Sequence, residues 1–328
     1  MNNINVLIVG CGKAAGFYES DSACGEVNSH ATAYRKHGKY NLVACVDSNP
    51  DRAREFANKF DIPTSGSDIR SMLELHRIDV VSVTSPDQTH CQITLDVFKH
   101  GSDVRLIFLE KPACQTLEEF DRLVVESASQ NIPVVVNHSR RFDGAYQNIR
   151  RDYNDGKYGD LLQFDAHYYG GWLHNGIHLV DLIRFLFSDE LVNHNVVDIL
   201  PTARLSDPTL TVRSELNGSK VPIRLHGWHD GYYQVFDIEI RFSKGRLKIE
   251  NFETHMFWEE SVMNRSGECV LGGTRIDLQR EHSSPNLAAV SLIARYLETG
   301  NSTLLQGVEL KDAVTTMQTM WNIQTLAL

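Results

Sequence analysis

The sequence predicts an α/β protein: a doubly wound parallel sheet in its amino-terminal part, then a second domain built on antiparallel strands. Three observations carry that prediction. Short runs rich in Val, Ile and Leu alternate with amphipathic stretches from residue 4 to residue 137, as parallel strands joined by crossover helices do. The first run, Ile4-Asn5-Val6-Leu7-Ile8-Val9, stops at a glycine turn, Gly10-Cys11-Gly12. Past residue 160 the apolar residues recur with a period of two, between turns such as Asn217-Gly218 and Lys244-Gly245. That is how antiparallel strands with one covered face read.

A chain of 328 residues exceeds one compact core and fits two domains, placed at 1–139 and 140–328. Hydrophobic residues make up 42% and charged residues 23%, the mix of a globular protein. Lys plus Arg number 32 and Asp plus Glu 42, a net charge of −10, which disfavours nucleic acid as a partner. The six cysteines include no C-x-x-C pair, so neither a zinc knuckle nor a dithiol motif is indicated, and buried reduced thiols are expected. No signal-peptide pattern opens the chain, and no run reaches the roughly eighteen apolar residues of a membrane span. The expectation is a cytoplasmic protein with no membrane partner.

In order, the strand Ile4–Val9 feeds Gly10-Cys11-Gly12-Lys13-Ala14-Ala15, a G-x-G-x-x-A pattern in the strand-to-helix context where it binds a dinucleotide. Gly10 makes the tight turn, Gly12 lets the backbone approach a pyrophosphate, and Ala15 fills the small third position; the phosphates would lie over a helix amino terminus. Phe17 to Ser29 is polar and reads as an insertion before a helix His30–His37. The second strand, Asn41 to Val46, ends in Asp47. An acid there accepts from the adenosine ribose hydroxyls and repels a 2′-phosphate, favouring NAD over NADP. Asp47 lies well beyond the usual distance of about 20 residues, and the alternative is a helix cap before Ser48-Asn49-Pro50.

Helices come next at Asp51–Phe60 and Ser67–Leu75, then the strand Val80–Val83, the turn Thr84-Ser85-Pro86 and a helix containing His90 that runs to His100. Leu106–Leu109 is a strand ending in Glu110-Lys111-Pro112, Leu117–Ser129 a helix, and Pro133–Asn137 the last strand of this half. Ligands of such sheets bind at strand carboxyl ends. The candidate cofactor-binding residues are therefore Gly10, Gly12, Lys13, Ala14, Ala15, Asp47, Thr84, Ser85, Pro86, His90, Glu110, Lys111 and Asn137. His90 is expected to brace its loop rather than to react.

In the second half, Gly170-Gly171-Trp172-Leu173-His174-Asn175-Gly176-Ile177-His178 leads into an apolar helix. A spacing of four puts His174 and His178 on one helical face. Two imidazoles can handle a proton or hold a metal. A zinc site needs a third protein ligand, for which His167 and Asp181 are nearest, and no H-E-x-x-H is present; no metal is expected. Arg140 and Arg141 suit a substrate phosphate or carboxylate, or a surface pair with Asp143. Tyr168 and Trp172 either stack on a sugar ring or fill the core. Strands are expected at Leu161–Tyr169, Thr211–Leu216, Val221–Trp228, Tyr233–Phe242 and Arg246–Phe252, forming a meander. A mobile glycine-rich loop is expected at Met263–Arg275, and helices at Ser284–Leu297 and Lys311–Leu326.

Four features coincide: the glycine turn, Thr84-Ser85-Pro86 with His90, Glu110-Lys111-Pro112, and Gly176-Ile177-His178 with Asp181. Together they resemble the Gfo/Idh/MocA family of nicotinamide-dependent oxidoreductases, over roughly residues 4 to 190. The resemblance implies a Rossmann domain followed by an α/β domain with a large open, mostly antiparallel sheet that mediates a homodimer or homotetramer. It maps the nicotinamide-side Lys onto Lys111, the later His onto His178, and a cis-linked or turn-forming proline onto Pro112. It implies NAD(P) as cofactor and a sugar, sugar derivative or nucleotide sugar as substrate. Many relatives carry Asp where this chain has His174, with an apolar residue where it has Asn175; the exchange alters the charge around His178.

The chemistry then reads residue by residue. The cofactor carries the hydride, and the protein positions the carbon and manages one proton. Neutral His178 suits the base, and Lys111 stabilises charge developing on oxygen. His174 orients, contacts or relays; Arg140, Arg141, Trp172 and Asn175 complete the candidate substrate set. The alternative is a non-catalytic dinucleotide-binding sensor or regulator on the same fold, which need keep neither Lys111 nor His178.

Overall fold

The computed structural model describes residues 3–17, 29–202, 207–278 and 284–327. The polar stretch read as an insertion lies mostly at 18–28, outside the described residues. Two compact units emerge, 1–143 with 282–315, and 144–281 with 316–328. A single cut at residue 139 therefore differs from the structure on both counts, because the chain returns to its first unit.

The first unit opens with β1 (Ile4–Val9), succeeded by α1 (His30–His37), β2 (Tyr40–Val46), α2 (Pro50–Lys59), β3 (Thr64–Gly66), α3 (Ile69–Leu75), β4 (Val80–Val83), α4 (His90–His100), β5 (Leu106–Leu109), α5 (Leu117–Gln130) and β6 (Val134–Val136). The six strands are parallel in the order β3-β2-β1-β4-β5-β6. The order reverses between β1 and β4, which puts the ligand crevice of a doubly wound sheet at their carboxyl ends. Local chemistry agrees with the element ends. Asn49 caps α2 by accepting from Asp51 and Arg52 N–H, with Pro50 in the first turn. Thr116 and Glu119 form a capping box at α5.

The second unit contains α6 (Gly144–Asn154), β7 (Leu161–Tyr169), α7 (Ile177–Phe187), β8 (Leu191–Leu200), β9 (Thr209–Leu216), β10 (Pro222–Trp228), β11 (Asp237–Phe242), β12 (Gly245–Glu250), β13 (His255–Met263) and β14 (Cys269–Asp277). The chain ends with α8 (Pro285–Thr299) and α9 (Leu310–Thr325). In α8, Ala289, Val290, Ile293 and Ala294 join the apolar core of the first unit with Val6, Ile8, Tyr34 and Phe108. That burial is why residues 282–315 belong there.

The second sheet runs β14-β13-β12-β11-β7-β10-β9-β8. Its neighbours are antiparallel except β7 and β10, which pair in parallel, so a simple meander is not what forms. Phe164, Ala166, Ile238 and Ile240 point to the buried face, while Asp165, His167, Glu239 and Arg241 point to the open one. The expected mobile loop at 263–275 is instead most of a hairpin, β13 and β14, closed by Asn264 N–H to Glu268 O at 2.9 Å. Its outer strand lies at the sheet edge, where no packing enforces apolar alternation, and its glycines obscure the pattern. The edge strand β8 is hidden in the sequence for the same reason. The strand expected to reach Phe252 stops at Glu250, since Asn251, Phe252 and Glu253 are all left-handed, with φ of 51°, 52° and 67°. Among the described residues no helix is long and apolar enough to cross a membrane.

Candidate active site

At the switch point of the first sheet, Gly10 has φ 93°, and a Cβ on it would come within 2.5 Å of Ser85 Cα. The residue is thus dictated twice, by the turn and by the approach of the next loop. Thr84 Oγ1 donates to Gly10 O at 2.7 Å, tying the two lips of the crevice. Among the described residues, a Cβ on Gly12 would meet nothing within 4 Å, which leaves room for a ligand beside its backbone. The chain continues in a π-type turn, Lys13–Phe17, with Lys13 exposed, Ala14 half-buried and Ala15 buried. The small residue under pressure is Gly16, where a Cβ would collide with the Phe60 ring.

Asp47 is buried at the end of β2. One carboxylate oxygen accepts from Cys11 N–H at 2.9 Å and the other from Asn49 N–H at 2.8 Å. The helix cap itself is Asn49, so the capping alternative for Asp47 is replaced by a tie to the glycine turn. Each carboxylate oxygen retains acceptor capacity for a hydroxyl.

The next strand ends step along the sheet: Glu110 N–H donates to Val83 O and Asn137 N–H to Leu109 O. Glu110 Oε1 lies 2.9 Å from His30 Nε2 and accepts from Asn137 Nδ2 at 2.7 Å, while Oε2 accepts from Lys111 N–H at 3.3 Å. Burial pushes the Glu110 carboxyl up. The His30 hydrogen bond and charge, then Lys111 and the Asn137 amide, outweigh it and bring the pKa to about 2. The Lys111–Pro112 bond is cis. His90 is fully buried, its ring nitrogens 2.6 Å from Pro112 O and 2.9 Å from Ser85 O. It braces these two loops, which take up both ring nitrogens, and does not itself face a cofactor. Asn137 Oδ1 is buried and has no hydrogen-bond partner among the described residues. That orphan and the open space over Gly12 make this cradle fit a dinucleotide.

In the second unit the chain enters α7 through a π-type turn, Trp172–Gly176. Gly176 N–H reaches back to Gly171 O and Ile177 N–H to Trp172 O, so His174 sits on a wider turn than the α-helical face expected. Asp207, which no sequence motif marks, holds this turn: its two oxygens accept from Leu173 N–H at 2.8 Å and His174 N–H at 2.9 Å. Asn175 Nδ2 donates to Tyr169 O at 2.8 Å and so clamps the turn from its other side. His174 and His178 are half-buried. Trp172 is fully buried with its indole N–H on Met320 O at 2.9 Å, and Tyr168 is buried with its hydroxyl on Leu210 O. Neither can stack on a substrate; both are core.

A different set of rings lies beside His178. Its ring meets Phe236 edge-on at 6.4 Å, Phe236 stacks on Phe252 at 6.4 Å, and Phe252 meets Tyr169 at 5.9 Å. Phe236 is buried, whereas Phe252 is 41% exposed. The left-handed turn at 251–253 presents that ring, which the sequence signals only as the end of a strand. Glu253 in the same turn is buried and accepts from Tyr146 OH at 2.8 Å.

Arg140 and Arg141 lie in a short 3₁₀ turn, Ser139–Arg141, and both are half-buried. Arg141 donates to Gly307 O at 2.6 Å, which gives one of its N–H groups a structural task. His167 is on the open face of its sheet, stacked on His226 at 4.8 Å, and Asp181 is buried, accepting from Thr316 Oγ1. Among the described residues no three His, Cys, Asp or Glu side chains are grouped as a metal site needs.

Comparison with known proteins gives this geometry a context. Residues 4–138 match the family described as "Oxidoreductase family, NAD-binding Rossmann fold". The match stops before His174 and His178. Inositol 2-dehydrogenase 3 of Saccharopolyspora erythraea is 27% identical over 202 residues, which span 56% of this chain and 58% of that protein. Among solved structures, aldose-aldose oxidoreductase of Caulobacter crescentus, complexed with glycerol, superposes with a TM-score of 0.80 at 14% identity, over 99% of this chain and 97% of that one. The super-repressor mutant of Gal80p from Saccharomyces cerevisiae does so with a TM-score of 0.76 at 13% identity, over 99% and 95%. At such identity these two likenesses establish the fold alone. The six-stranded order, the glycine cradle and the family match agree: residues 4–138 are an NAD-binding Rossmann domain of the Gfo/Idh/MocA oxidoreductase family.

Proposed function

We propose that this chain is an NAD-linked dehydrogenase that oxidises a ring hydroxyl of a sugar, cyclitol or nucleotide sugar, or reduces the corresponding ketone. The observation that carries the reading is the joint presence of Lys111 at the end of β5 and His178 at the head of α7, two groups a pure dinucleotide sensor has no need to keep. The relatives support the substrate class, since several are named as inositol dehydrogenases.

Bound NAD would supply the hydride acceptor, held by Gly10, Gly12 and Asp47 with Thr84 to Pro86 beside it. Lys111 donates a hydrogen bond to the substrate oxygen and stabilises the negative charge that develops there. Neutral His178 accepts the hydroxyl proton and returns it in the reverse direction. His174, on the turn held by Asp207, orients or relays to His178. Phe252, with Phe236 behind it, offers an apolar wall to the C–H face of a ring. Arg140 receives a carboxylate or phosphate where the substrate has one. The charged open face of the second sheet is the surface through which two copies pair.

The test mixes the protein with NAD and a panel of cyclitols, aldoses and nucleotide sugars and monitors the absorbance of reduced nicotinamide. Turnover is expected with at least one ring polyol, and Lys111→Ala should lower kcat by about 10²–10³. Unchanged turnover in Lys111→Ala removes its assigned role. Flat traces with every polyol, despite tight NAD binding, favour the regulatory reading, for which the repressor fold neighbour is the precedent.

A further inference from the structure

Behind the Glu-Lys-Pro turn lies a buried polar cluster centred on His30 and Glu110. His30, the first residue of α1, is fully buried. Its ring lies on Phe108 at 4.5 Å between centroids, its Nδ1 is 2.7 Å from Ser82 Oγ, and its Nε2 is 2.9 Å from Glu110 Oε1. Asn137 Nδ2 donates to the same carboxylate oxygen at 2.7 Å and to Asn286 Oδ1 at 3.1 Å. His30 and Asn137 thus converge on one carboxylate oxygen from inside the unit, each braced by a further residue. The other oxygen takes the backbone N–H of Lys111.

Burying such a cluster is a poor way to gain stability. An ion pair removed from water repays its desolvation only with good geometry, and apolar residues of equal volume are often as stable. A cluster of this kind fixes orientation. Here the fixed group is the carboxylate preceding Lys111 in the chain, and the cluster decides which way that carboxylate faces. With Oε1 held inward by His30 and Asn137 and Oε2 on the Lys111 backbone N–H, both oxygens of Glu110 are engaged. Without the inward hold, the carboxylate is free to turn toward the charge of Lys111, which already acts on it.

We propose that His30 is a positioning residue for Lys111: it holds the Glu110 carboxylate inward so that the lysine ammonium is presented to substrate oxygen instead of closing on its neighbour. What Lys111 does with substrate rests on the dehydrogenase reading; how it is held does not. The bland alternative is that His30 and Glu110 merely staple α1 to the end of β5.

The two readings separate in the chemical reactivity of Lys111, which needs neither cofactor nor turnover. Acylation of Lys111 by an amine-selective reagent is quantified by mass spectrometry, with Lys248 of the second unit as internal reference. Only the neutral amine reacts, so a carboxylate closing on the ammonium slows labelling and a lost carboxylate speeds it. The proposal predicts opposite shifts: His30→Gln labels Lys111 about threefold or more slowly than the wild type, and Glu110→Gln about threefold or more quickly. Should His30→Gln fail to fold, Ser82→Ala, which frees only the Nδ1 side of the ring, replaces it with the same expected direction. A staple predicts a looser turn and faster labelling in both variants; that result, or labelling unchanged in both, overturns the proposal. Where a substrate is found, His30→Gln should lower kcat about tenfold while KM for NAD stays within about twofold. Absence of turnover with the labelling pattern intact would count against the function and not against the positioning.

Discussion

Glu110 is pulled in two directions, and the balance can be measured. Burial disfavours its charge, but His30, Lys111 and Asn137 favour it more, so the folded pKa falls from 4.5 to about 2. A carboxyl with a depressed folded pKa adds stability above its unfolded pKa, and that stability is lost as pH falls through the folded value. The window therefore lies between 4.5 and about 2. Across it the wild type should lose on the order of 3 kcal/mol that Glu110→Gln does not lose, read from denaturant melts at several pH values. An identical acid limb in both proteins would show that the cluster does not hold the charge. At this scale the sequence is partly legible. Glu110, Lys111 and Asn137 are visible because they end predicted strands. His30 is not, because its partners come from residues 82, 110 and 137, and contacts that distant leave no local pattern. Asp207 is hidden for the same reason: it reaches back 33 and 34 residues to hold the turn at 173–174. Trp172 is ambiguous since a tryptophan beside glycines reads alike whether it is buried or on the surface.

At the scale of the element, the glycine turn offers a clean pair of substitutions. Gly10→Ala forces a Cβ to within 2.5 Å of Ser85 backbone at φ 93° and should destabilise the fold by about 1–3 kcal/mol. Gly12→Ala meets nothing among the described residues within 4 Å, so its melting temperature should stay near that of the wild type while NAD affinity, read by calorimetry, falls about tenfold or more. If Gly12→Ala binds NAD normally, the open space above that glycine is not where the pyrophosphate lies. Elements with a strong period are legible: β1, α1, β4, β5 and β7 have the bounds expected of them. The strands missed are β3, β8, β13 and β14, three of them at sheet edges. β8 and β14 face solvent along most of their length, so neither shows the alternation that burial imposes. The turn at 251–253 reads as strand because left-handed backbone at Asn251, Phe252 and Glu253 has no signature when glycine is absent.

Over the whole molecule, the chain returns late to its first unit, with 282–315, before ending in the second. Ala289, Val290, Ile293 and Ala294 of α8 are buried in the core built by β1 and α1, and Tyr40 OH donates to Val290 O at 2.6 Å. Exposing four such side chains forfeits on the order of several kcal/mol, comparable with the entire stability of a domain. A fragment of residues 1–143 should therefore melt without cooperativity, and the same fragment joined by a flexible linker to 282–315 should regain a sharp transition in calorimetry. Cooperative melting of 1–143 alone would contradict this division. The alternation of strands and helices announces the parallel sheet from the sequence, but nothing in a helical period says which of two cores the helix will join.

Hydride transfer from a ring carbon to NAD can be read by isotopic labelling, without relying on absorbance. The protein is incubated with NAD and a ring polyol carrying deuterium at every carbon-bound position, and the cofactor is recovered for mass and proton NMR analysis. Reduced nicotinamide is expected to carry one deuterium at C4 on a single face, formed by the wild type and depressed together in Lys111→Ala and His178→Ala. Recovery of NAD unlabelled and unreduced with every polyol tried, from a protein that binds the cofactor tightly, would contradict it.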